Sequence, residues 1–277
     1  MVVEEDQVLP GRALPFAGDC RWLVSLDYDE TLRCADPSQP VPVEFFEWMR
    51  NWRHMGIRWG INTGRTLPYL CAELLPCSPF LPDFICTCER YVYVADADGR
   101  LQPQREHNAR CREHNLMVRS RVLEPLHARL AALRDEAPAL QWIIAADDPL
   151  SVEAADSATM DAIMTIMSPF FARLEGVAVQ RAGRYMRLAD ARYCKGTALQ
   201  TVAQLWQVSS HRWAMLGDGH NDMHAFRLFP EAFCGAPATA HPEVLAYLRS
   251  RGAYVSSCAG VMEILEVWRA SVMTEQG

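Results

Sequence analysis

Two carboxylates two positions apart, Asp27 and Asp29, follow the apolar run of residues 22–26. Buried carboxylates lose hydration unless something uses them. A hard cation and a phosphoryl group would use both. Three further segments carry chemistry-bearing residue types. They are Asn62-Thr63-Gly64-Arg65, Lys195 within Cys194-Lys195-Gly196, and Gly217-Asp218-Gly219-His220-Asn221-Asp222. Phosphoryl transfer is mostly positioning and charge neutralisation, and a carboxylate attacks phosphorus only when cations suppress the repulsion between two anions. Asp27, nearest the strand end, is the candidate nucleophile. Asp29 is the candidate general acid and then base, protonating the leaving oxygen and later taking a proton from the hydrolytic water. Asp27, Asp218 and the backbone carbonyl of Asp29 are the expected Mg²⁺ ligands, with Asp222 acting directly or through a water. Thr63 is expected to offer its hydroxyl and backbone N–H to phosphoryl oxygens, and Gly64 to let the backbone come close. Arg65 and Asn221 complete the expected substrate-binding set. Lys195 is a point charge for the same oxygens and for Asp27.

Each segment alone has an ordinary structural explanation, such as a turn, a helix cap or a solvated charge. Their joint occurrence, in a workable order along one chain, is what points to chemistry.

The elements that must position these residues follow from apolar spacing. Residues 22–26, 57–61, 83–88 and 212–216 read as strands, and 43–55, 66–75, 196–207 and 221–229 as helices. Phe45, Phe46, Trp48, Met49 and Trp52 recur at helical spacing and mark a core-facing stripe. Residues 91–94 and the turn at 96–99 suggest a hairpin. Late strands are expected at 232–234 and 253–255, with helices at 242–251 and 261–270. The β-α-β-α-β order argues for a parallel sheet with covering helices. It places the Asp27, Asn62-Arg65 and Gly217-Asp222 segments after strands, where open α/β sheets bind ligands.

The rhythm changes over residues 108–188. A long helix (108–136), two strands (141–146 and 151–155), a helix (157–174) and a hairpin (177–180 and 185–188) read as an inserted α-β-β-α-β-β block. The expected organisation is an arm at 1–18, a Rossmann-like, doubly wound α/β core at 19–103 and 189–277, and an inserted α+β cap at 104–188. Pro10, Gly11, Pro15 and Gly18 make the arm read as loose.

The chain has 277 residues, half of them hydrophobic and 22% charged, which fits a packed protein of about two domains. The net charge of −7 argues against non-specific nucleic-acid binding. The start, Met1-Val2-Val3-Glu4-Glu5-Asp6, is acidic where a secretory signal would be basic, and no apolar stretch is long enough to span a bilayer. Ten scattered cysteines show no secreted-type framework, and a cytoplasmic protein with reduced thiols is expected. Cys86-Thr87-Cys88 reads as a pair of buried thiols in a strand.

The four segments resemble the four motifs of the haloacid dehalogenase superfamily. Asp27-Tyr28-Asp29-Glu30-Thr31 is similar to the first, Thr63 to the second, Lys195 to the third and residues 217–222 to the fourth. The insertion resembles the large α/β cap of the Cof-like and sucrose-phosphate-phosphatase-like branch. So do Tyr185-Met186-Arg187-Leu188 with Lys195-Gly196-Thr197-Ala198-Leu199, and Ala240-His241-Pro242-Glu243-Val244. The resemblance implies a Rossmann-like core, Mg²⁺ dependence and phosphate-monoester hydrolysis, often of sugar phosphates. Two stretches depart from it. Glu89-Arg90 stands where the branch often has Asn-Gly, and Ala236-Pro237-Ala238-Thr239-Ala240 where it often has Gly-Asn before the alanine. Glu89 and Arg90 are candidates for contact with a substrate polar group.

The functional expectation is a Mg²⁺-dependent phosphatase acting through an aspartyl-phosphate on a small phosphorylated metabolite, a sugar phosphate above all. The cap would close over the core and contact the leaving group, with Arg181, Arg184, Tyr185, Asp147 and Asp148 as candidates. Two other readings stand beside it. One is a phosphosugar mutase of the phosphomannomutase kind, and the other a non-catalytic phosphate-ligand binder.

Overall fold

The computed structural model describes residues 11–16, 18–33, 40–146, 148–257 and 260–274. Most of the expected arm (1–10 and 17) and Asp147 lie outside the described residues. The chain divides into two compact units, 1–108 with 195–277, and 109–194.

The first unit is built on an eight-stranded sheet. In chain order its strands are β1 (Trp22–Leu26), β2 (Ile57–Asn62), β3 (Phe84–Thr87), β4 (Tyr91–Ala95), β5 (Leu101–Pro103), β10 (Trp213–Leu216), β11 (Phe233–Ala236) and β12 (Tyr254–Val255). Across the sheet they run β12-β11-β10-β1-β2-β3-β4-β5. The six from β12 to β3 are parallel, and β4 and β5 continue as antiparallel strands. A strand buried on both faces reads as an unbroken apolar run, and every residue of β1 is buried.

The order reverses at β1. The chain first winds one way through β2 and β3, then returns to place β10 on the other side of β1. That makes the gap between β1 and β10 a topological switch point. Leu26 pairs in register with Ile61 of β2 and with Leu216 of β10. The three strands therefore end level, and Asp27, Asn62-Thr63 and Gly217-Asp218 leave the sheet at one height.

Five of this unit's helices are α1 (Val43–Trp52), α2 (Leu67–Leu74), α5 (Lys195–Trp206), α6 (His220–Leu228) and α7 (Pro242–Ser250); α8 (Met262–Thr274) ends it. On α1 the aromatic stripe faces inward, where Phe45 and Phe46 meet the buried Trp59 of β2 at 4.9 and 6.4 Å between ring centroids. Each such ring contributes about 1.5–3 kcal/mol by leaving water.

Residues 12–16 are not loose as the Pro/Gly content suggests. Ala13 donates to Gly99 O at 2.7 Å, and Leu81 donates to Arg12 O at 2.9 Å. Arg53 bonds the carbonyls of Leu14 and Pro15, and Arg58 stacks on Phe16 at 4.2 Å. Backbone pairing at a distant segment supplies the donors and acceptors that composition does not reveal.

The second unit carries an antiparallel sheet in the order β6-β7-β9-β8. Its strands are β6 (Trp142–Ile144), β7 (Ser151–Ala154), β8 (Val177–Ala182) and β9 (Tyr185–Asp190). The long helix α3 (Arg105–Glu136) and the helix α4 (Ser157–Phe171) complete it. Val118, Val122, Leu126, Leu130 and Leu133 follow helical spacing along α3 and pack with Met160, Ile163, Met167, Met186 and Leu188. The helix starts four residues before the second unit does. Asn108, fully buried, accepts from Val92 N at 2.8 Å and donates to Val92 O at 3.1 Å. No helix among the described residues is long and apolar enough to cross a membrane.

Candidate active site

Asp27 follows β1 directly and is buried. Its backbone N–H donates to Leu216 O at 2.8 Å, which extends the β1–β10 pairing by one bond. Its Oδ1 accepts from Tyr28 N at 2.8 Å and pairs with Lys195 Nζ at 2.8 Å. Both bonds fall on one oxygen. After Asp27 the chain turns tightly, with Leu32 N and Arg33 N donating to Asp27 O and Tyr28 O. Glu30 takes a left-handed φ of 57° inside that turn. The turn directs Thr31 inward, where its hydroxyl donates to Asp218 Oδ1 at 2.9 Å.

Lys195 is the first residue of α5 and one of the largest fully buried side chains. Asn62 fixes it by donating Nδ2 to its carbonyl at 2.8 Å. Its ammonium reaches Asp27 and Asp222 at 2.8 Å each. Burial alone would make Lys195 a weaker base, but Asp222, Asp27 and Glu89 reverse that and hold it well above the ordinary lysine range.

Asp218 and Asp222 come from the loop between β10 and α6 and from the first turn of that helix. Gly219 N donates to Asp222 Oδ2 at 3.0 Å. Gly217 has no substitute here, since a Cβ would lie 2.1 Å from Asp222 Cγ. Carboxylate oxygens of Asp27, Asp218 and Asp222 lie within 4.8 Å of one another. Desolvation pushes all three carboxyls above their usual range, crowding by a neighbouring carboxylate adds to this, and Lys195 opposes it. Three carboxylates facing one ammonium are short of positive charge, and an all-oxygen set of this kind suits Mg²⁺. The residues present therefore fit the metal.

Thr63 differs from expectation in one respect. Its backbone N–H is spent on Cys86 O at 2.9 Å, because the chain still follows the β2–β3 ladder there, so only the hydroxyl is left to offer. That hydroxyl accepts from Arg65 N at 3.2 Å. A Cβ on Gly64 would sit 3.3 Å from Glu89 Oε1. Arg65 is turned to carboxylates. It donates Nε to Asp29 Oδ2 at 2.6 Å, clasps Asp29 Oδ1 with a second nitrogen, and pairs with Glu73 at 2.9 Å. It also lies over the Tyr69 ring at 4.2 Å. Asp29 itself is about two-fifths exposed. Asn221 donates Nδ2 to Glu89 Oε1 at 3.0 Å, and both residues are buried.

Thr31 and Asn62 lie inside the motif segments without a role read for them, Glu73 has no motif signal at all, and Glu89, a candidate for substrate contact, instead bonds Asn221. Glu89 had one sequence signal, an acidic residue just past an apolar strand, as Asp27 and Asp218 also are. In the second unit the candidate leaving-group residues bond among themselves and their neighbours. Arg181 pairs with Asp161 at 2.5 Å, Arg184 with Glu153 at 2.7 Å, and Asp148 with Arg187 at 3.0 Å. The Tyr185 hydroxyl donates to Ser151 Oγ at 2.6 Å.

The model of the haloacid dehalogenase-like hydrolase family matches residues 142–265. The sucrose-phosphatase of Synechocystis sp. PCC6803, solved with sucrose and phosphate, superposes with a TM-score of 0.64 at 19% identity, over 90% of this chain and 97% of that one. A haloacid dehalogenase-like hydrolase protein from Bacillus subtilis superposes with a TM-score of 0.57 at 11% identity, over 94% and 96%. No curated protein sequence matches. Over residues 142–265 the chain is thus similar to the haloacid dehalogenase-like hydrolases, and the solved structures share its fold. The fold is the α/β, Rossmann-like architecture of these hydrolases, with a mixed, largely parallel sheet flanked by helices.

Proposed function

We propose that the protein hydrolyses phosphate monoesters of small metabolites, sugar phosphates above all, through an aspartyl-phosphate on Asp27. The observation that carries this reading is the buried Lys195 ammonium, 2.8 Å from both Asp27 and Asp222, with Asp218 in the same cluster. Because Oδ1 of Asp27 accepts from Tyr28 and Lys195, Oδ2 is the oxygen assigned to attack phosphorus. Lys195 opposes the burial that raises the Asp27 carboxyl and offers positive charge to the phosphoryl oxygens. The Thr63 hydroxyl donates to the same oxygens. Asp29 delivers a proton to the leaving oxygen and then takes one from water as the acyl phosphate is cleaved. Asp27, Asp218 and Asp222, with the Asp29 carbonyl, would hold Mg²⁺. The ion would supply charge neutralisation and orientation for the phosphoryl group.

The second unit is assigned the cap's task of contacting the leaving group. The sugar-phosphate assignment draws on the shared fold with a sucrose-phosphatase solved with sucrose and phosphate. The ten scattered cysteines, with no secreted-type framework, support a reducing, cytoplasmic setting. A phosphate-release screen over sugar phosphates, nucleotides and cofactor phosphates tests the reading, with and without chelator. Release from at least one sugar phosphate, abolished by chelator and restored by Mg²⁺, is expected. Full activity in excess chelator removes the metal from the mechanism. Isomerised sugar phosphate without phosphate release makes the protein a mutase.

A further inference from the structure

A second group of metal-ligating side chains lies in the first unit. His220 opens α6, His241 caps α7, and Glu243 sits in the first turn of α7. One ligand atom from each lies within 4.8 Å of the others. His220 Nε2 is 3.2 Å from Glu243 Oε2. The two imidazole rings approach to 4.0 Å between centroids, inclined at 50°. Ligand atoms around a tetrahedral Zn²⁺ stand about 3.4 Å apart, given bond lengths of about 2.0–2.2 Å. The pair already measured meets that spacing.

We propose that His220, His241 and Glu243 form a second cation site that takes a transition metal of the Zn²⁺ class. Imidazole nitrogen favours Zn²⁺, Ni²⁺ or Co²⁺ over Mg²⁺, whereas the Asp27, Asp218 and Asp222 set offers only oxygen. The chain thus presents two donor sets of different softness. A simple ion pair accounts for the arrangement less well. A partly exposed His–Glu pair contributes little, and it does not require a second imidazole beside the first. The N-termini of α6 and α7 oppose a cation, so the Glu243 carboxylate supplies the negative charge that the two imidazoles lack. His241 Nδ1 accepts from Glu243 N at 3.3 Å, a long cap bond that is given up if Nδ1 takes the metal. Three protein ligands leave one position for water or an anion.

The site is tied to the acidic one by backbone. His220 lies two residues after Asp218, and His241 N donates to Asp218 O at 2.9 Å. An ion bound there cross-links the starts of α6 and α7 and stiffens the loop that carries Asp218.

The test is a Zn²⁺ titration of the full metal-free chain in excess Mg²⁺, which fills the oxygen set, read by competition with a chromophoric chelator. One Zn²⁺ per chain is expected. Binding should vanish in His241→Ala and weaken by about tenfold or more in Glu243→Gln. Glu243 is exposed, so its variant keeps the test valid if His241→Ala misfolds. Asp27→Asn should keep the zinc. The proposal is overturned if the wild type binds no Zn²⁺ under these conditions. It is also overturned if either folded ligand variant retains full affinity, or if Asp27→Asn alone loses the ion. The readout is metal binding and does not depend on phosphatase activity.

Discussion

The first unit holds two clusters with the same ingredients, one cation between two carboxylates, in opposite surroundings. Lys195 sits between Asp27 and Asp222, all three buried. Arg65 sits between Asp29 and Glu73, with Asp29 about two-fifths exposed. Dry surroundings make the first cluster strong and intolerant, since removing one partner strands the others. Wet surroundings make the second one exchangeable, because water can replace either bond. A nucleophile needs a fixed place, whereas an acid that later serves as a base must let its proton come and go. The contrast in burial supports the division of tasks proposed for Asp27 and Asp29.

The sharpest way to break the contrast is Asp27→Asn. It should lower kcat for an aryl phosphate by about four orders of magnitude while circular dichroism stays unchanged. A loss of tenfold or less would move the nucleophile elsewhere. Lys195→Met comes next. It leaves Asp27 and Asp222 buried and unpaired, and urea unfolding should show a loss of about 3–5 kcal/mol. Wild-type stability would mean that the carboxylates are neutral without it. Asp29→Asn should cost about a hundredfold in kcat on a poor leaving group and much less on 4-nitrophenyl phosphate, which needs little protonation. Equal losses on both substrates would deny Asp29 the acid role. The smallest effect belongs to Glu73→Gln. Freeing one side of Arg65 should change stability by less than about 1 kcal/mol and kcat by a few-fold. A large loss would show that the exposed cluster is as rigid as the buried one.

Much of the fold could be read from local pattern. The strands 22–26 and 57–61 are apolar runs bounded by clear loop residues, and the aromatic spacing of α1 specified which face is buried. Asp27, Lys195, Asp218 and Asp222 converge because Asp27 and Asp218 follow the ends of parallel strands, while Lys195 and Asp222 lie in the first turns of α5 and α6. The Arg65–Asp29 clasp was not legible. It joins residues 36 positions apart, and no spacing rule says that the guanidinium of the Asn62-Arg65 turn will face a carboxylate. The same holds for residues 12–16, whose fixing bonds come from Arg53, Leu81 and Gly99. It holds too for Thr63, whose N–H was already committed to Cys86. Local pattern identifies what a residue is able to do, and long-range pairing decides which of those options is already taken.

The level ending of β1 with β10 also bears on how the chain is made. Thr31 and Asp218 are 187 positions apart, so β1 leaves the ribosome long before its second neighbour exists. Until then a largely apolar edge, Trp22-Leu23-Val24-Ser25-Leu26, is open to unintended pairing. A nascent chain halted before residue 213 would carry Asp27 on an unfinished sheet, the interval in which a chaperone would protect that edge most.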